Sequence, residues 1–263
     1  MYIFISPHFD DICFSLGGLV GSLAGHRKVI INVFTISDYI RRMSMTNREV
    51  AFREEVVSKI RQAEDKEFCD GHEIEQINCN LPEYAGKELE NGQFVSYLKN
   101  RISKHIDFSE NCHIFFPLAL GRHLNHMQVF EACTLMMKEQ PQSSFILYED
   151  LPYGHKILDR FRRLRELSAF IDSYGFKNYL RPLSSTEITR KRRDIMIYES
   201  QHVYKGPSGV RIKRYFTRTS LCCHPQEGIW IRHGRETIGC ENLIENSGYA
   251  QNLLRKFLQM FFV

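Results

Sequence analysis

No apolar run in the 263 residues approaches the roughly 20 that a membrane-crossing helix needs. The nearest, LLRKFLQMFFV at 253–263, is too short and is interrupted by Arg255 and Lys256, so a spanning helix is excluded. The opening MYIFISPHFDD carries neither a basic leader nor a small-residue cleavage site, and a cytoplasmic protein is expected. None of the eight cysteines forms a Cys-x-x-Cys pair, so reduced thiols are expected rather than a disulfide framework. Cys13, the nearest to the polar clusters described below, reads as a small core hydrophobe. There is no internal repeat and no low-complexity linker.

What is present is an ordinary globular composition, 43% hydrophobic and 25% charged, in a length that one α/β domain fills. The expectation is a single domain over 1–263, with about 202–263 as a C-terminal subdomain or cap. A net charge of +4 is modest, but FRRLR at 161–165 and TRKRR at 189–193 concentrate it. Two solvated helix faces are the simpler reading than an anion patch, and neither a nucleic-acid partner nor a membrane is expected. The FLQMFF segment docks on its own domain in the simpler reading; a homo-oligomer contact there stays open.

Short β-prone runs recur at 2–6, 29–36, 73–79, 112–118 and 144–149, separated by helix-capable stretches. That alternation predicts a Rossmann-like three-layer α/β fold with a mostly parallel central sheet. Gly17 and Gly18 fall in an apolar helix after the first strand, and 48–68 has the one-sided pattern of an amphipathic helix. Beyond about residue 202 the regularity fades into loops and short strands.

In open parallel sheets, ligands bind outside the carboxyl ends of the strands where strand order reverses. Two polar clusters follow predicted strands: Ser6-Pro7-His8-Phe9-Asp10-Asp11 and Gly121-Arg122-His123-Leu124-Asn125-His126. A catalytic zinc site takes three ligands from His, Asp and Glu and keeps one position open. His8 and Asp11, three apart on a turn entering a helix, can point the same way while Asp10 projects differently. His123 and His126 repeat the spacing, one able to bind metal and the other to face substrate. Mixed imidazole and carboxylate donors suit zinc, and also Fe2+ or Mn2+. Tyr39, Tyr84, Tyr148 and Tyr153 are aromatic candidates for the mouth of such a site, although core or loop anchoring is the commoner role.

SPHFDDICFSLGG resembles the opening motif of the LmbE-like, or PIG-L, family of zinc-dependent de-N-acetylases, and GRHLNHMQVFEA is similar to its second metal motif. IRQAEDKEFCDG resembles its Arg-x-x-Glu helix, LPEYAGKE the loop that follows, and LYEDLPY, 198–201 and EGIW later landmarks of a bacterial branch. The resemblance implies zinc on His8, Asp11 and His126, with Asp10 as general base. It implies His123 as electrostatic partner or proton donor, and Arg61 and Glu83 as contacts to sugar hydroxyls. The implied reaction is hydrolysis of an N-acetyl group from an amino sugar or its conjugate, of the kind found in glycosylated metabolites. Hydrolysis of another amide or ester, or non-catalytic binding of a polyanion, are the alternatives. Three positions depart from the common pattern. Phe9 stands for proline and Ile12 for glutamate. Asn125 stands for aspartate, and is expected to leave His123 more often neutral.

Overall fold

A computed structural model describes residues 1–39, 52–83, 85, 91–109, 111–151, 157–202, 226–232 and 244–245. The first predicted run is strand β1 (Tyr2–Ser6), and its five residues are all buried. Side chains alternate across a strand, and here both faces are covered. Ile3 and Ile5 enter one core cluster, whereas Tyr2 and Phe4 enter another. A strand apolar on both faces belongs in the interior of a parallel sheet.

Four more predicted runs form β2 (Lys28–Ile36), β3 (Ile74–Pro82), β4 (His113–Pro117) and β5 (Ser144–Tyr148). Between them run helices α1 (Asp11–Ser22), α2 (Arg53–Gly71), α3 (Asn91–Ser103) and α4 (Leu124–Glu139). Then follow α5 (Ile157–Tyr174), β6 (Phe176–Pro182), α6 (Ser185–Ile197) and the short α7 (Glu199–His202). The sheet has eight strands in the order β3-β2-β1-β4-β5-β7-β6-β8, with β7 at Gln226–Arg232 and β8 at Ile244–Glu245. Pairings from β3 through β5 are parallel, while β7 is antiparallel to both β5 and β6. The EGIW segment, expected among irregular C-terminal structure, is therefore part of a strand deep in the main sheet. Most of the expected cap lies outside the described residues, as do Tyr84, Tyr153 and FLQMFF.

The chain winds from β1 outward to β3, then crosses back to place β4 on the other side of β1. Strand order reverses between β1 and β4, and the carboxyl ends at such a reversal are where open α/β sheets bind ligands. Residues of α3, α4 and α5 share the core cluster of Ile3 and Ile5, whereas those of α1 and α2 share that of Tyr2 and Phe4. Helix α1 is buried from Asp11 to Val20 because α6 covers its outer side. A Cβ on Gly18 would lie 2.5 Å from Leu183 Cδ2, and one on Gly17 3.3 Å from Lys191 Cγ. Glycine at these two positions is what permits that approach.

The basic runs are only partly solvated faces. Lys191 is wholly buried, and Arg163 is buried with its guanidinium over the Phe130 ring at 4.9 Å. Cys13 is buried, as a core hydrophobe should be.

Candidate metal centre

The turn after β1 is fixed by its own polar groups. Ser6 Oγ donates to the His8 carbonyl at 2.5 Å, the Phe34 N–H donates to the Pro7 carbonyl at 2.9 Å, and the His8 N–H donates to Asp11 Oδ2 at 2.8 Å. This folds the two side chains together: His8 Nδ1 lies 3.3 Å from Asp11 Oδ2. The second cluster arrives from β4 through a strained loop in which Ala119 and Arg122 take φ of 59° and 54°, values uncommon for residues with a Cβ. His126, in the first turn of α4, reaches the same carboxylate oxygen, with Nε2 at 3.3 Å. His8 and Asp11 from β1–α1 thus meet His126 from β4–α4 at the reversal point.

A tetrahedral centre with bonds of about 2.0–2.2 Å to N and O donors has donor atoms about 3.3–3.6 Å apart. The two separations from Asp11 Oδ2, both 3.3 Å, match such edges. The electrostatics also favour a cation. Burial acts to raise the Asp11 carboxyl, but His126 and His8 reverse this and hold it well below the usual carboxylate range. Burial acts to lower His126, and Asp11 and Asp150 facing it overcome that and push it up. An imidazole between two carboxylates is where a dication can replace a proton.

Asp150 was not singled out from the sequence. It follows β5, accepts from the Leu120 N–H at 3.0 Å on Oδ1, and lies 3.1 Å from His126 Nδ1 on Oδ2. It therefore ties down the strained loop and orients the imidazole so that Nε2 faces Asp11. Its one signal was a carboxylate just past a strand at the carboxyl edge, in LYED. Replacing a group that orients a metal-binding histidine lowers affinity about 10- to 100-fold. Asp150→Ala should do so for zinc in competition with a chromophoric chelator; unchanged affinity would remove Asp150 from this role.

Asp10, beside Asp11, has Oδ1 3.5 Å from Arg61 Nη2. Arg61 is 4% exposed and also meets Ser37 Oγ at 2.9 Å and Glu83 Oε1 at 2.6 Å. The family resemblance implies that Arg61 and Glu83 contact sugar hydroxyls. In the structure Arg61 is buried between Asp10 and Glu83 and braces both, while the Glu83 side chain keeps a quarter of its surface exposed. His123 stands exposed beside His8 and His126, with ring centroids 5.2 and 5.4 Å from theirs. Loss of solvent around part of the ring, then His8 and His126, push it down to about 4, so it is neutral near pH 7. Asn125, expected from the sequence to leave His123 more often neutral, makes its described contact with His8 instead. The side chain is buried and its Nδ2 lies 3.1 Å from His8 Nε2, because the helical turn directs it inward. Tyr148, a candidate for the mouth, is fully buried and donates to the Ile5 carbonyl at 3.1 Å; Tyr39 is 47% exposed.

Behind Arg61 on α2, Glu64 and Asp65 grip the turn after α6. Glu64 accepts from the Ser200 N–H at 2.7 Å and Oγ at 2.5 Å, and Asp65 accepts from Tyr198 Oη at 2.8 Å. Burial pushes Glu64 up to about 7 against the lowering effect of Ser200. The fold thus favours protonated Glu64, and its ionisation costs stability progressively as pH rises from the ordinary carboxylate value through about 7. Glu64→Gln should remove a cost of up to about 3 kcal/mol. Its Tm relative to the unaltered chain should rise between pH 5 and pH 8; a pH-independent difference would contradict this.

Fold and site together define a doubly wound α/β protein with imidazoles and carboxylates that could hold a metal ion gathered at its switch point. The chain belongs to the PIG-L family of de-N-acetylases: the family model described as GlcNAc-PI de-N-acetylase matches residues 3–137. Similar solved structures include the zinc-inhibited form of a teicoplanin deacetylase (16% identity, TM-score 0.61, 94% of this chain and 98% of that one). Others are the A40926 pseudoaglycone deacetylase (18%, 0.59, 88% and 96%) and the N,N'-diacetylchitobiose deacetylase from Pyrococcus horikoshii (16%, 0.55, 88% and 83%). At these identities the likeness is one of fold. No curated protein matches the chain.

Proposed function

We propose that this protein is a zinc-dependent hydrolase that removes an N-acetyl group from an amino sugar or amino-sugar conjugate, releasing acetate and a free amine. The observation that carries the reading is Asp11 Oδ2 at 3.3 Å from both His8 Nδ1 and His126 Nε2, with the next carboxylate in the chain, Asp10, held by Arg61 at 3.5 Å. Family membership supports de-N-acetylation, and the amino-sugar deacetylases of the same fold support the substrate class.

His8, Asp11 and His126 would hold the zinc. When bound, zinc supplies a Lewis acid for the acetyl carbonyl and acidifies water from a pKa of about 15.7 towards about 7. The Asn125 amide, flipped to present Oδ1, can accept from His8 Nε2–H and so leave Nδ1 as the donor nitrogen. Asp10 takes the proton of the attacking water, and Arg61 keeps its carboxylate in place. A neutral His123 donates one hydrogen bond to the developing oxyanion. The proton on Asp10 then passes to the departing nitrogen, since a neutral His123 has no spare proton to give. Glu83, braced by Arg61, faces the sugar hydroxyls.

The test is acetate release by the full chain, stripped with chelator and then restored with zinc. N-acetylglucosamine conjugates and simple N-acetyl amides are compared, with Fe2+ and Mn2+ as alternative metals. Zinc-restored turnover that favours the sugar conjugates is expected. Turnover of simple amides or esters alone would overturn the substrate class, and full activity in the stripped protein would overturn the metal.

A further inference from the structure

His8, Asp11 and His126 supply three donors, yet a third imidazole, that of His123, stands with them. Ligating nitrogens of His8, His123 and His126 all lie within 4.8 Å of one another. The His123 ring is edge-on to both neighbours, at interplanar angles of 82° and 74°. Burial separates the three: His8 and His126 are buried, while His123 is exposed at the mouth. His123 is the residue before α4, and its side chain does not cap that helix.

Two nitrogens bound to one zinc at about 2.0–2.1 Å can be no more than about 4.2 Å apart. In a tetrahedral site the separation is about 3.4 Å, so His123 needs an approach of up to about 1.4 Å, which a change of side-chain torsion can supply. Structural zinc sites are closed by four protein ligands, whereas catalytic sites keep the fourth position open. This centre has the parts of both: two buried imidazoles and a buried carboxylate, and one exposed imidazole at the mouth.

We infer that His123 is an exchangeable fourth protein donor, closing the metal site in the absence of substrate and giving way when an acetyl oxygen or acetate enters. The inference rests on the proposed metal triad and deepens it. Closing the site in the resting protein slows metal loss and keeps the fourth position from binding stray anions. Substrate entry has to displace His123, and the displaced ring then faces the incoming oxygen as a hydrogen-bond donor.

The experiment uses the full chain loaded with cobalt(II) in place of zinc, because four-coordinate cobalt(II) absorbs visible light several-fold more strongly than its five- or six-coordinate forms. The unaltered protein, His123→Ala and His123→Gln are compared without substrate and during titration with acetate. The unaltered chain should show the strong four-coordinate spectrum, and both variants a weaker one. Gln retains hydrogen bonding but offers no ligating imidazole nitrogen, so it should behave like Ala. Acetate should bind the variants more tightly, having no donor to displace. Zinc should transfer to a chelator about 10-fold faster or more from the variants, on the scale by which metal-site residues alter affinity. Superimposable spectra and equal zinc transfer would overturn the inference while leaving the triad intact. Failure of the unaltered chain to bind cobalt would overturn the triad and the inference together.

Discussion

Asp10→Asn is expected to bind a full equivalent of zinc and to turn over at least about 100-fold more slowly, the scale of general-base catalysis. The two carboxylates in Phe9-Asp10-Asp11-Ile12 are neighbours in sequence but not in role. Asp11 Oδ2 is the shared contact of His8 and His126, whereas Asp10 turns to Arg61. Asparagine keeps the size of Asp10 and can still meet Arg61 through its oxygen, but it cannot take a proton from water. Metal content should therefore be normal and kcat low. His126→Ala should behave in the opposite way, because it removes the buried imidazole between Asp11 and Asp150. That variant should hold no stoichiometric zinc. Measuring kcat and metal content on both proteins separates the roles. Full turnover by Asp10→Asn would place the base elsewhere, and normal zinc in His126→Ala would break the ligand set.

The parts of this site written into local sequence were readable from it. Strands β1, β2, β4 and β5 are largely apolar runs and β3 a more polar β-prone one, and their alternation with helices is enough to predict a parallel sheet. The three-residue spacing of His8 and Asp11 acts within one turn, so the expected convergence is what the structure contains. Asp150 lies 24 residues beyond His126, and only the β4–β5 pairing brings it alongside. No local pattern encodes that contact. Asn125 and Arg61 had readable identities and unreadable directions. Which neighbour each touches depends on how α4 and α2 are rotated against the sheet. Lys191 is the one miss that spacing could have caught, since Ile188, Lys191 and Ile195 share the face of one helix at intervals of three and four. The charges around Lys191 obscured that stripe.

Lys191→Met should cost about 3–5 kcal/mol of folding stability, the penalty for leaving one member of a buried ion pair alone. Lys191 Nζ and Glu227 Oε1 are 2.6 Å apart, and neither side chain is exposed. Both also hold the backbone of α1. Lys191 donates to the Ser15 carbonyl at 3.2 Å, while Glu227 accepts from the Gly18 and Leu19 N–H groups at 2.8 Å each. Arg181 Nη1 is 4.0 Å from Glu227 Oε2, too far for a hydrogen bond and a weak substitute for the lost ammonium. Methionine fills much of the lysine volume, so the loss measured is electrostatic rather than a cavity. The double variant Lys191→Met/Glu227→Gln should recover part of the stability, because it leaves no unpaired charge while Gln still accepts one N–H. The same α1 carries Asp11 at its first position, so zinc affinity should fall in the single variant and return in part with the double. Chemical denaturation of the three proteins measures the first effect, and zinc competition the second. A loss below about 1 kcal/mol would mean that Glu227 is adequately held by the two N–H groups alone, the ordinary yield of hydrogen bonds to a charged acceptor.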